Sequence, residues 1–144
     1  MSAVVDANIL VAARLRGDSH HERGLSLARA FDQRRLPRAA VPSSVPEETI
    51  NFVHARTSHY RATETLDAVV ESVGFEIEHV DRADLDAARP LFRRYDELSL
   101  TDAVIVAWMR RNERDYLYSF DDDFDAVEGI TRLDTPHDPF GFRD

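Results

Sequence analysis

Short strand-like stretches, apolar at residues 3–5 and 39–41 and alternating at 75–80, recur at 116–119 and 130–133, and are separated, save for the last pair, by amphipathic segments long enough to be helices. Strands divided by helices cannot pair as tight hairpins; they pair in parallel through crossovers. The expectation is an α/β fold with a mainly parallel sheet covered on both faces. Residues 19–35 carry Leu25, Leu27, Ala28 and Phe31 at helical spacing. Ser44 reads as an N-cap, with Ser44-Val45-Pro46-Glu47 as a capping box. Residues 59–72 place Leu66, Val69, Val70 and Val73 on an apolar side, and Gly74 reads as a helix stop. Asp81 or Asp84 caps a helix running to about Tyr95, residues 101–111 form another, and residues 122–127 a helical turn.

With 144 residues and 43% hydrophobic content, the chain fits one domain over residues 1–144. No apolar run approaches the roughly 20 residues of a membrane span, and no basic-then-apolar leader opens the sequence. A soluble, cytoplasmic protein is expected. The absence of cysteine removes disulfides, thiolate zinc sites and cysteine nucleophiles. All 18 basic residues are arginine. Sites that need a particular lysine, such as the P-loop or a Schiff base, are therefore excluded. The five glycines form neither G-x-G-x-x-G nor G-x-S-x-G. A net charge of −9 opposes non-specific nucleic-acid binding but not a small site where a metal and arginines overcome the field locally.

An ionised carboxylate at the end of a buried strand, or in the first turn of a buried helix, is costly unless a cation compensates it. Asp6 and Asp121 fall at the carboxyl ends of strands, where open parallel sheets gather functional residues. Asp102 opens the apolar helix that carries Val104, Ile105, Trp108 and Met109. Several such acids converging on one place imply a divalent ion. Each also has a structural reading. Asp6 could cap a helix, and Ser99-Leu100-Thr101-Asp102 is a capping box. Glu47 is spaced to answer Ser44, which leaves Glu48 for the site. The run Asp121-Asp122-Asp123-Phe124-Asp125 is not an EF-hand, because Ala126 and Arg132 stand where that loop requires glycine and glutamate. Asp122 and Asp125 read as a solvated turn, Asp121 as the better ligand and Asp123 as the second.

Taken together, Val4-Val5-Asp6-Ala7-Asn8, Pro46-Glu47-Glu48-Thr49, Leu100-Thr101-Asp102-Ala103 and Ser119-Phe120-Asp121-Asp122-Asp123-Phe124 resemble the PIN-domain ribonucleases, especially VapC-type toxins. The resemblance runs across essentially the whole chain. It implies a Rossmann-like three-layer α/β/α sandwich around a five-stranded parallel sheet. It also implies an acidic site of Asp6, Glu48, Asp102 and Asp121, with Asp123 auxiliary and Asn8 and Ser119 orienting the carboxylates. The implied cofactor is Mg²⁺ or Mn²⁺, and the implied activity is endoribonucleolytic, leaving a 5′-phosphate and a 3′-hydroxyl. The implied partners are an RNA substrate, a small antitoxin and a second copy in a homodimer, with no membrane. The alternatives are a non-cleaving PIN-like RNA-binding module and another metal-dependent nuclease or phosphohydrolase.

Other residues read as ordinary. His20, His21, His54 and His59 lack tight ligand spacing and are expected on the surface. Trp108 and Met109 are expected in the core. Arg14 and Arg16 follow the first motif and could reach an RNA phosphate, although plain solvation carries more weight.

Overall fold

The computed structural model describes residues 2–142. Five strands form one all-parallel sheet in the order β3-β2-β1-β4-β5: β1 (Val4–Val5), β2 (Ala39–Pro42), β3 (Phe75–Glu78), β4 (Tyr116–Tyr118) and β5 (Thr131–Leu133). Six helices connect them: α1 (Ala7–Arg14), α2 (His21–Asp32), α3 (Ser44–Arg56), α4 (His59–Glu71), α5 (Arg82–Arg94) and α6 (Leu100–Arg111). The chain steps from β1 to β2 to β3 in one direction and then crosses back to β4. Right-handed crossovers therefore lay α1–α4 on one face of the sheet and α5–α6 on the other. The packing follows that division, with α1 against α2 and α3, α3 against α4, and α5 against α6. The expected three-layer sandwich with a five-stranded parallel sheet is what the chain forms.

Strands buried on both faces must be apolar throughout, and β1, β2 and the end of β4 are. Ile9, Leu27, Phe31, Ile105, Met109, Leu117 and Tyr118 fill the space between sheet and helices. Trp108 is core, as expected, and its indole N–H donates to the His79 carbonyl at 3.1 Å. No helix among the described residues is long and apolar enough to cross a membrane.

Three local expectations are corrected. Ser44 is the first helical residue and not the cap; Ser43 precedes it, and no side chain closes a capping box there. The Ser43 hydroxyl instead accepts from the Val80 N–H at 3.0 Å, tying the start of α3 to the segment after β3. Gly74 does not stop α4, which ends at Glu71 with Ser72 in extended backbone. A Cβ at Gly74 would stand 2.6 Å from the Phe31 carbonyl carbon, so its role is to admit the end of α2 against the start of β3. On α4, Val69 is buried, but Leu66 and Val70, together with Val73 just beyond the helix, lie 41–60% exposed. The helix packs mainly on α3 rather than on the sheet, so only a narrow stripe through Ala62, Thr65 and Val69 is covered.

Candidate functional site

The sheet reverses its winding between β1 and β4, and a crevice outside the strand ends forms at such a switch point. Asp6 follows β1 directly and caps α1, its Oδ1 accepting from the Ala7 N–H at 2.8 Å. Ser119 follows β4, is fully buried, and donates its hydroxyl to Asp6 Oδ2 at 2.8 Å. The same Ser119 oxygen accepts from the Asn8 side-chain amide at 3.0 Å and from the Asp121 N–H at 3.1 Å. Asn8 Oδ1 in turn accepts from the Phe120 N–H at 3.1 Å. A hydroxyl has one proton and two lone pairs, so Ser119 is saturated. It links the ends of the two central strands and fixes the direction of the Asp6 carboxylate.

Asp102 enters from the first turn of α6. Its N–H donates to Ser99 Oγ at 3.1 Å and its Oδ2 accepts from the Ser99 N–H at 3.4 Å, completing the capping box. Oδ1 accepts no hydrogen bond among the described residues. Glu48 sits in the first turns of α3, and Asp121 caps the 3₁₀ turn Asp122–Ala126 by accepting from the Asp123 N–H at 3.0 Å. The capping roles anticipated for Asp6 and Asp102 are both present, and neither uses up its carboxylate's oxygens.

These acids perturb one another. Burial, then the charges of Asp102 and Glu48, push the Asp6 carboxyl up to about 7, against the opposing hydrogen bonds from Ser119 and Ala7. Glu48 reaches solvent, yet desolvation of its carboxyl and then the Asp102 charge raise it. Asp102 is raised by burial and, beyond its Ser99 hydrogen bonds, by Asp121 and Asp123. Asp123 is raised first by Asp121, then by Asp122 and Glu97 among other causes. Glu48, Asp6, Asp102, Asp121 and Asp123 therefore form one chain of mutually repelling carboxylates.

Within it, the carboxylates of Asp121, Asp122 and Asp123 offer oxygens within 4.8 Å of one another, and no other trio of His, Asp or Glu among the described residues is as close. Asp122, expected in a solvated turn, thus joins the tightest group. Its signal was only its place between Asp121 and Asp123. Asp6, Glu48 and Asp102 lie near enough to interact electrostatically but do not form a trio that tight. Glu48 meets Asp6 and Asp102 although the capping box that assigned Glu47 elsewhere does not exist. Both glutamates are exposed on α3, but Glu48 is the one whose charge acts on Asp6 and which feels Asp102.

Among the described residues, none of these five carboxylates has an arginine or histidine partner, although Asp81, Asp84, Asp125 and Asp134 all do. An all-oxygen donor set carrying uncompensated negative charge suits a hard divalent cation. At the rim, the Phe120 ring stacks on His20 with centroids 4.6 Å apart, and the Arg23 guanidinium lies 4.8 Å from the same ring. His20 and His21 are accordingly half-buried, His21 against the Ala12 carbonyl at 2.7 Å, while His54 and His59 are exposed as expected.

The PIN domain family model matches residues 3–130. A VapC ribonuclease of Mycobacterium bovis and ribonuclease VapC13 of Mycobacterium tuberculosis are each 39% identical over 68 residues, 47% of this chain and 51% of theirs. The match thus spans about half the length of these relatives. Among solved structures, VapC20 of Mycobacterium tuberculosis, a toxin that cleaves the sarcin–ricin loop, superposes with a TM-score of 0.75 at 26% identity. That match covers 88% of this chain and 95% of the other. VapBC2 of Rickettsia felis, bound to a fragment of promoter DNA, shares the fold with a TM-score of 0.70 at 14% identity, covering 92% of this chain and 98% of the other.

Proposed function

This chain belongs to the PIN-domain family, and we propose that it is a metal-dependent endoribonuclease, the toxin of a toxin–antitoxin pair. The observation that carries the reading is the set of five coupled carboxylates without a cationic partner, at the carboxyl ends of the two central strands. Asp6, Glu48, Asp102, Asp121 and Asp123 are the residues that would hold Mg²⁺ or Mn²⁺. When bound, such an ion polarises a phosphate oxygen and lowers the pKa of a coordinated water.

The protein's own part is positional. Ser119 and Asn8 hold Asp6 in one orientation. The capping box holds Asp102 by Oδ2 and leaves Oδ1 for the site. The Asp6 carboxyl, pushed up to about 7, is only partly ionised at neutral pH, and a bound cation would favour its charged form. VapC13 and VapC20 support the choice of RNA as substrate, and the toxin–antitoxin complex from Klebsiella pneumoniae, which has the same fold, supports a small antitoxin as partner. Homodimerisation belongs to the same proposal. Its support is the exposed apolar set Leu66, Val70, Val73 and Ile77, and light scattering on the purified chain reads it directly.

The deciding experiment incubates purified protein with single-stranded RNA, matched DNA and a phosphomonoester, in Mn²⁺, Mg²⁺ or EDTA. RNA cleavage that needs the metal and vanishes in Asp102→Asn is expected. Metal binding without cleavage of any RNA indicates the non-cleaving module, and preference for DNA or the phosphomonoester indicates another metal-dependent hydrolase. A short neighbouring gene whose product has a DNA-binding N-terminus is the expected source of the antitoxin.

A further inference from the structure

Away from the acids, the loop after α1 and the C-terminal half of α3 enclose an open groove of about 410 Å³. Arg14, Arg16, Arg56 and Arg61 line it together with Phe52. Four guanidiniums face two carboxylates there: Asp18 in the lining, and Glu64, which takes both Arg14 at 2.8 Å and Arg61 at 3.8 Å. Arg16 and Arg56 have no carboxylate partner among the described residues. In a chain of net charge −9, this is an island of unspent positive charge. Arg14 and Arg56 stand in the last turns of α1 and α3, where helix dipoles favour cations. That accounts for each residue singly but not for their meeting around one cavity beside an aromatic ring. Phe52 is 37% exposed, and the Arg56 guanidinium lies 4.5 Å from its ring centroid.

We propose that the groove between the α1 loop and α3 binds the phosphate backbone of single-stranded RNA, with Phe52 as a stacking face for one base. A positive groove joined to an exposed aromatic is how sequence-tolerant single-strand binding is built. The aromatic face favours RNA over an acidic peptide, which would need only the charges. The groove also lies on the helices that carry the acids. Asp6 caps the start of α1 and Glu48 sits near the start of α3, whereas the arginines cluster at and just beyond the far ends of both. The eight residues of α1 span about 12 Å. A strand held in the groove can therefore continue to the acids within a few nucleotides. The proposal rests on the ribonuclease reading for its ligand but is tested without cleavage.

The test titrates the protein into a 5′-fluorescein oligouridylate 12-mer in EDTA and follows anisotropy from 25 to 200 mM NaCl. Each phosphate contact contributes about 0.7 to the log–log salt slope for single strands. Arg16→Gln/Arg56→Gln is expected to lower that slope by about 1.4 and weaken binding about tenfold at the lowest salt. A charge-matched control, Arg89→Gln/Arg93→Gln on the exposed face of α5, keeps the wild-type slope. Phe52→Leu weakens binding with the slope unchanged. Circular dichroism on each variant confirms an unaltered fold.

The proposal is overturned if the wild type binds no oligouridylate, or if the groove variant keeps the wild-type slope. It is also overturned if both double variants lower the slope equally, or if labelled oligoglutamate binds more tightly than the RNA and is lost in the groove variant. A protein that binds through the groove yet cleaves nothing with metal added leaves this inference standing and removes the ribonuclease reading instead.

Discussion

Asp6→Asn in the metal-free protein isolates the cost of the acidic site to the fold. The Asp6 carboxyl titrates near 7 in the native state, against an ordinary value of 3.8, because burial and then Asp102 oppose its ionisation. Below about pH 4 the carboxyl is protonated in both native and unfolded chains and adds no pH dependence. Between about 4 and 7 the unfolded chain ionises while the native state keeps its proton, so native stability falls as pH rises and levels off above about 7. At 1.36 kcal/mol per pKa unit, the full loss is about 4 kcal/mol.

Asparagine is neutral throughout and caps a helix as well as aspartate does, so the Ala7 N–H keeps its acceptor. It loses the bond from Ser119, whose two acceptor positions are already taken by Asn8 and Asp121, at a cost of about 1 kcal/mol. In EDTA at pH 8 the variant should therefore be more stable than wild type by about 2–4 kcal/mol. At pH 4.5 the two should lie within about 1 kcal/mol. Urea unfolding followed by circular dichroism at both pH values measures this. Mn²⁺ at 100 times its dissociation constant should restore about 2.7 kcal/mol to wild type and less to the variant. A wild-type stability that is flat from pH 4.5 to 8, or a variant no more stable at pH 8, would refute the burial argument.

Glu48→Gln should reduce metal-dependent RNA cleavage by about 100-fold or more, whereas Glu47→Gln should leave the rate within about twofold. Equal losses would show that the wrong glutamate has been assigned. Ser119→Ala leaves the Asn8 amide, the Asp121 N–H and an Asp6 oxygen without their shared partner. It should cost about 1–3 kcal/mol in urea unfolding and lower Mn²⁺ affinity about 10–100-fold by calorimetry. Gly74→Ala drives a methyl against the Phe31 carbonyl and should destabilise by about 1–3 kcal/mol, with cleavage per folded molecule unchanged. Asp84→Ala removes a buried carboxylate that accepts from Arg111 at 2.7 and 2.9 Å and from the Asp81 N–H, for a loss of about 2–3 kcal/mol. Arg111 holds the Asp84 carboxyl below its usual range, so that stabilisation is present at neutral pH and fades as pH falls through the acid range.

The order of strands and helices, and the placing of Asp6 and Asp121 after strands and Asp102 at a helix start, were legible from sequence alone. Apolar periodicity, capping residues and turn chemistry are local, and a few neighbouring residues suffice to write them. What the residues could not say was which neighbours each element would meet. Leu66, Val70 and Val73 have the spacing of a buried stripe, yet α4 is the outer helix of its layer and leaves them exposed. Gly74 has the look of a helix stop, but its need for a bare α-carbon comes from Phe31, 43 positions earlier in the chain. The capping box that would separate Glu48 from Glu47 does not form; α3 begins at its apparent cap, Ser44, and both glutamates are exposed, but only Glu48 feels the charges of Asp6 and Asp102.

Likewise Arg14 and Arg16 looked merely solvated until α3 and α4 brought Arg56 and Arg61 beside them. Ser119 shows the limit most clearly. Its three partners lie as far as 113 positions away and meet only because β1 and β4 are adjacent at the reversal of the sheet. Local rules set the elements. The long-range pairing of strands, which no single segment encodes, decided which charges share a pocket.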